Sequence, residues 1–552
     1  MSLSLGASVV SSGARFLAEQ VCQTGVWSCS YGPATQALTG SAPPGFSSQT
    51  CAPYNGAYAD PINNYWLLVI TAVFAASMAF SIGANDGANA WATTIHSFAI
   101  KLRPACVLAA VFEILGASTI GYGVSTSIQK GITKLSDKRC FACGYCDSSM
   151  SLYYIGMMAS LVSTSIFLIG ATLLRMPVST THAIVSAVFG MTVVFHGFGC
   201  VEFGWENLGG IVASWFISPI AAGVASVVIY YAVQWLIFQA PSPRQRAFVL
   251  IPVLYGVVVF IITFLTFVKS PVLKSQPHWK GLVVGGSAGA FTVGVVVAFV
   301  MPRLKTKLPS VSDANRIGAH LTQHSDAQKA AKFEEERGSN VLVLTPNGVD
   351  QSQDVDGGVT AVYRPSLELL REYDALSIEQ QDAMFLFKHL LVMVACLQSF
   401  SHGSNDTANA TAAFAAVLTG FRNGLDDCRS PESAWWVMTL GGLVLGAGIW
   451  FLGYKVMDTI GKNICIVSFD RAFCTEFASA CTVVACSLLR VPVSTTHCQV
   501  GAVVCISLAA KDRGAIQWRL VVSILFSWIL TLPLTAGLSG AVAYALKYAI
   551  VG

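Results

Sequence analysis

Arg175-Met-Pro-Val-Ser-Thr-Thr-His182 returns later in the chain as Arg490-Val-Pro-Val-Ser-Thr-Thr-His497. The block Pro-Val-Ser-Thr-Thr-His is identical in the two places, and each copy interrupts apolar sequence. A second pair of blocks precedes it in the same order: Gly83-Ala-Asn-Asp-Gly-Ala-Asn-Ala90 and Gly403-Ser-Asn-Asp-Thr-Ala-Asn-Ala410. The chain is therefore a duplicated unit, and what is duplicated is polar chemistry set inside hydrophobic sequence.

The surrounding composition says where that chemistry sits. Of 552 residues, 54% are hydrophobic and 11% charged, against about 25% charged in a soluble globular protein. Tyr65 to Ile82, Ala105 to Val124, Ala247 to Val268 and Gly281 to Met301 are each long enough to cross a hydrocarbon core of roughly 30 Å. Such runs recur, so the expectation is an all-α polytopic membrane protein. A membrane barrel is excluded, because its strands would alternate polar and apolar residues. A net charge of +4 makes no case for a nucleic-acid partner.

In order, residues 1–64 read as a polar extracytoplasmic segment without a cleaved signal peptide. Residues 65–238 are the first repeat and 239–301 two linking spans. Residues 302–383 are a charged cytoplasmic loop, partly disordered by composition. Residues 384–546 are the second repeat and 547–552 a short tail. Lys/Arg asymmetry places both termini on the extracytoplasmic side, although Lys130, Lys134, Lys138 and Arg139 run against it. The same topology gathers Cys22, Cys29, Cys51, Cys140, Cys143, Cys146, Cys200 and Cys428 outside, where disulfides persist; their pairing is not deducible, and a metal knuckle or three unrelated thiols at 140–146 are the alternatives. The first Asn-Asp block then lies on a span running inward and its copy on one running outward. The halves are inverted, the architecture that builds a midplane site from broken helices and re-entrant hairpins in secondary transporters.

Proline suits the first turn of a helix, and Ser or Thr suits its N-cap. Each Pro-Val-Ser-Thr-Thr-His block thus reads as a helix start at membrane depth, with unpaired backbone N–H groups and partial positive charge. Ser179, Thr180 and Thr181 in one half, with Ser494, Thr495 and Thr496 in the other, would form a cradle for an anion. The alternative is a pair of ordinary caps in surface loops. Asp86 and Asp406 are costly inside a membrane unless partnered or functional. Gly83 and Gly87 would allow an unwound backbone there, so that carbonyls join Asn85, Asn89, Asn405 and Asn409 as oxygen ligands for a hard cation such as Na⁺. Cations between the carboxylates would remove the repulsion that an anion meets beside them. Glu113 and Glu476 are pathway candidates or satisfied interior acids. His182 and His497 bond backbone or take part in proton coupling. The sequons at Asn405 and Asn409 lie in membrane sequence and are discounted.

The paired Gly-x-Asn-Asp-x-Ala-Asn-Ala and Pro-Val-Ser-Thr-Thr-His motifs resemble those of the inorganic phosphate transporter (PiT) family, over about residues 65–238 and 384–546. The resemblance implies a Na⁺- or H⁺-coupled phosphate symporter built on an inverted repeat. It implies that Asp86, Asp406 and the hydroxyls at 179–181 and 494–496 hold phosphate, with the four asparagines near the cation sites. Ala92-Thr93 and Ala412-Ala413 depart from the family pattern. The resulting expectation is phosphate import by cation symport in the plasma membrane, with Na⁺ favoured over H⁺, no enzymatic activity and no other cofactor. A homodimer is left open. The rivals are a transporter of another tetrahedral oxyanion and a phosphate receptor.

Overall fold

A computed structural model describes residues 65–96, 99–137, 139–143, 149–174, 178–270, 275–310, 375–423, 434–453, 468–510 and 518–550, with short pieces elsewhere. Arg175 to Pro177, Cys22, Cys146, Cys428 and most of the 302–383 loop lie outside the described residues. The N-terminal segment forms a small antiparallel sheet of β1 (Val26–Tyr31), β2 (Ala34–Thr39) and β3 (Cys51–Pro53), with β1 in the middle. The polar composition of the segment hid this sheet, although Trp27 to Tyr31 alternates apolar and polar residues; the all-α expectation holds for the spanning part.

The first half comprises α1 (Tyr65–Asn85), α2 (Gly87–His96), α3 (Leu102–Thr119), α4 (Tyr122–Lys130), α5 (Met150–Leu173), α6 (Thr180–His196) and α7 (Leu208–Val233). Two linking helices follow, α8 (Pro243–Lys269) and α9 (His278–Val295). The second half comprises α10 (Ile378–Asn423), α11 (Trp435–Gly448), α12 (Phe469–Leu488), α13 (Thr495–Ala509) and α14 (Trp518–Ile550). Among the described residues, nine helical stretches are long and apolar enough to cross a membrane. The chain is an integral, multi-pass membrane protein. At 17 and 15 residues, α6 and α13 span only about 25 and 22 Å. They fall short of the hydrocarbon thickness, as helices that begin inside it must.

Three pairs of helix contacts are preserved when the halves are exchanged. Helix α3 lies on α10 and α11 on α1; α6 lies on α14 and α13 on α7; α5 lies on α1 and α12 on α10. Glycines fix the register. A Cβ at Gly116 would strike the Phe400 carbonyl and Ser404 nitrogen, and one at Gly448 the Phe80 carbonyl and Ala84 nitrogen. Likewise Gly403 abuts the Glu113 carbonyl and Gly83 the Leu445 carbonyl. Helices α3 and α11 hold the same place in the two halves and cross with Ala110 against Gly446 and Ile114 against Gly442. Rising numbers on one meet falling numbers on the other, the antiparallel relation that an inverted repeat requires.

The same contacts revise the role of Gly83. It admits the backbone of α11 and stays helical, so it does not unwind the chain. The helix breaks one turn later, at Asp86, between α1 and α2. The second copy does not break: α10 runs helical through Gly403, Asn405 and Asp406. Thr407 stands there where the first copy has Gly87, and a residue with a side chain holds the helix where glycine weakens it.

Cys140 is joined to Cys200. The bond, with the Thr133–Val201 bridge, ties the loop after α4 to the chain leaving α6, so both emerge on one face. Cys143 is also disulfide-bonded.

Candidate functional site

Each Asn-Asp block pins the hairpin of its own half. Asn85 Nδ2 donates to Thr172 Oγ1 on α5 (3.3 Å), and its Oδ1 accepts the Val178 N–H just before α6 (3.3 Å). Asn405 repeats this with Ser487 Oγ (3.1 Å) and the Val493 N–H (3.4 Å). The asparagine side chains thus set the depth of the two helix starts. Both starts are capped as the sequence predicts: Ser179 Oγ accepts from His182 N and Ser494 Oγ from His497 N, each at 3.3 Å. The serine hydroxyls turn to their own helices, which leaves the threonines to face inward.

Those threonines cross between halves. Thr181 Oγ1 lies 3.4 Å from Asp406 Oδ1, and Thr496 Oγ1 lies 3.4 Å from Asp86 Oδ1. Thr181 also donates to the Val493 carbonyl at 2.9 Å, so the tip of one hairpin touches the other. Thr495 donates to Asp406 Oδ2 at 2.8 Å, and Thr180 faces Asp86. Asn409 Nδ2 reaches Asp406 Oδ1 (3.0 Å), Thr181 Oγ1 (3.1 Å) and Thr180 Oγ1 (3.3 Å). The side chain of Asn89 lies outside the described residues. Two aspartates and two helix starts, one of each from either half, converge on one buried spot.

A residue that the sequence reading passed over completes the cluster. His402 Nδ1 is 2.7 Å from Glu113 Oε1, a hydrogen bond. Its Nε2 is 3.1 Å from Asp406 Oδ2, close enough for charge pairing though not aligned as a hydrogen bond. Ligand atoms of Asp86, His402 and Asp406 lie within 4.8 Å of one another. At that separation two bare carboxylates repel by on the order of 3 kcal/mol even at an effective dielectric of 20. A cation between them, or charge on the imidazole, would offset this. The one available signal was position: His402 precedes Asp406 by four residues, one helical turn on the same face. Glu113 therefore stands one contact from the aspartates. Glu476 instead accepts from Gln499 (3.0 Å), and no described hydrogen bond joins it to either aspartate.

The sequence pattern of the phosphate transporter family matches residues 82–539. The chain belongs to the phosphate transporter family. That is a family of transporters, so no enzymatic reaction is implied. Within it, the chain is 27% identical to the phosphate-repressible phosphate permease pho-4 of Neurospora crassa, over 86% of this chain and 96% of that protein. It is also 27% identical to sodium-dependent phosphate transporter 1-A of Danio rerio, over 90% and 97%. A solved structure titled "The sodium-dependent phosphate transporter" superposes with a TM-score of 0.68 at 28% identity, covering 88% of this chain and 99% of that one. The family match takes in both Asn-Asp blocks from Ile82 onward and both hairpins. The sheet β1–β3 lies outside it.

Proposed function

We propose that this chain imports inorganic phosphate by symport with Na⁺, at a site shared between two inverted repeats, residues 65–238 and 384–546. The supporting observation is the crossing of Thr181 to Asp406 and Thr496 to Asp86. Hydroxyls and helix-start N–H groups supply donors for a tetrahedral anion; the carboxylates supply oxygen for a cation. Neither ligand binds well alone there, because the acids repel the anion and the buried donors do not suit the cation. Bound together they neutralise each other, and this is a physical basis for coupling. Phosphate is assigned to Asp86, Asp406 and the hydroxyls of Ser179, Thr180, Thr181, Ser494, Thr495 and Thr496. The cation is assigned to the oxygens of Asn85, Asp86, Asn89, Asn405, Asp406 and Asn409. Na⁺ is preferred to H⁺ because relatives in this family carry sodium dependence in their names.

Because each hairpin lies against the long helix of the other half, rocking one repeat against the other would carry the site between the two faces. The protein is assigned to the plasma membrane with both termini outside. Labelled phosphate uptake into proteoliposomes, with a Na⁺ or an H⁺ gradient imposed separately, tests this reading. Accumulation only under the Na⁺ gradient supports it. Binding without accumulation under either gradient would mean a receptor.

A further inference from the structure

Directly after the hydroxyls, four rings form a row across the junction of the halves. His182 and His497 are the third helical residues of α6 and α13, and their rings meet at 4.4 Å between centroids. Trp215 of α7 lies 4.0 Å from His182, and Trp528 of α14 lies 3.6 Å from His497. All four are buried, at 9% exposure or less. Exchanging the halves maps the row onto itself.

Among the described residues none of the six ring nitrogens meets the geometry of a hydrogen bond; the Trp528 backbone is the polar group that His182 faces. Unpaired buried polar groups are costly, and more so in a membrane, where no water relieves them. Repeating that cost symmetrically, where the first turns of α6 and α13 meet, marks a contact made to be broken. Two indoles and two neutral imidazoles carry four N–H donors. Among the described residues no carboxylate bonds either imidazole, unlike the aspartate site, where His402 meets Glu113.

We propose that His182, His497, Trp215 and Trp528 close the path beside the aspartate site. As the rings part, their N–H groups become a second subsite for the tetrahedral oxyanion, one that requires no cation. The proposal rests on the phosphate-transport reading above. It explains why His follows Ser-Thr-Thr in both copies: the hydroxyls hold the anion with its cations, and the rings receive it once the cations leave.

The test compares two double variants of the full chain, H182Q/H497Q and H182L/H497L, in proteoliposomes. Gln and Leu have similar volume, but only Gln keeps N–H donors. Equilibrium phosphate binding in saturating Na⁺ should stay within about three-fold of wild type in both. Initial uptake should stay within about three-fold for the Gln variant and fall at least roughly ten-fold for the Leu variant. Equal uptake in the two, whether fast or absent, overturns the proposal. If the Leu variant does not fold, W215F/W528F decides: the rings remain, the indole N–H groups are gone, and uptake should drop at least about five-fold with binding unchanged. Wild-type uptake there overturns it equally. A wild-type protein that neither binds nor moves phosphate would sink the transport reading as well, whereas equal Gln and Leu rates beside an active wild type sink only this one.

Discussion

His402 and Glu113 meet at 2.7 Å inside the bundle, and the residues that hold their places in the other half are Ile82 and Leu445. The equivalence follows from packing: Gly403 abuts Glu113 as Gly83 abuts Leu445, and His402 and Ile82 precede those glycines. All four are buried. Of two equivalent places where the halves meet, one therefore holds an imidazole–carboxylate pair and the other two apolar side chains. A second asymmetry runs the same way, since Glu476, Gln499 and Gln398 form a polar string on α12, α13 and α10. The matching first-half positions are Leu161, Ile184 and Met78, all fully buried.

The ion pair makes a sharp prediction about stability. Glu113→Leu or His402→Ile alone strands a buried charge or polar ring and should cost about 3–5 kcal/mol. The double variant E113L/H402I rebuilds the pair already present at Leu445 and Ile82. It should recover the part of that loss due to a stranded partner, because well-packed apolar replacements of buried ion pairs are often neutral, and the remainder measures the contact of His402 with Asp406. Thermal unfolding of the four proteins in detergent gives the cycle. Additive losses in the double variant would show that the two residues do not act as a unit.

Asp86 and Asp406 are equivalent in sequence but not in surroundings. Thr495 stands by Asp406 as Thr180 stands by Asp86, but His402, 3.1 Å from Asp406, has the apolar Ile82 in the matching place of the first half. Asp86 is faced by Thr180 and Thr496 and lies farther along the same cluster from the imidazole. Asp86→Asn and Asp406→Asn should each abolish Na⁺-coupled phosphate uptake. Asp406→Asn should also lower the melting temperature more, since it removes charge-assisted contacts worth about 1.5–3 kcal/mol apiece. Uptake at the wild-type rate in either variant would remove the carboxylates from the mechanism. Equal melting temperatures would remove the asymmetry.

What the sequence conveyed was whatever repeats. Identical strings at 177–182 and 492–497 announced two helix starts, and Ser179 and Ser494 cap them as the residue types dictate. The membrane helices were legible because a lipid-facing run must be apolar throughout its length. The misreadings came from residues whose meaning depends on a partner far along the chain. Gly83 looks like a helix breaker until the Leu445 carbonyl is set against it. His402 has no copy in the other half, so comparing the repeats hid it, and its worth appears only beside Glu113, 289 residues away. The β1–β3 sheet was harder to read: Trp27-Ser28-Cys29-Ser30-Tyr31 in β1 alternates apolar and polar residues, but β2 and β3 do not, and the polar composition of residues 1–64 masks the one strand that does.

The glycine contacts can be tested as matched pairs. Gly116→Ala and Gly448→Ala each push a methyl into a backbone carbonyl of a facing helix, which cannot yield as a side-chain tip would. Each should destabilise by about 1–3 kcal/mol or more and lower the yield of folded protein. Because the two contacts are equivalent, the losses should be similar. Gly286→Ala, with open space around it on α9, is the control and should be silent. A tolerated Gly116→Ala would mean that α3 and α10 are less closely packed than described.

The asparagine pins separate positioning from ligation. Asn85→Ala removes bonds to Thr172 and to the Val178 N–H, and Asn405→Ala the matching pair at Ser487 and Val493. Each loss should cost about 1–3 kcal/mol and loosen one hairpin start. Faster amide hydrogen exchange over 178–185 in the first variant and 493–500 in the second is expected. Phosphate affinity should fall in both, since the threonines lose their fixed depth. If an asparagine served only as a cation ligand, its removal would weaken Na⁺ dependence and leave exchange at the hairpin unchanged. Exchange that rises at the hairpin of the mutated half, and not at the other, is the result that identifies a pin.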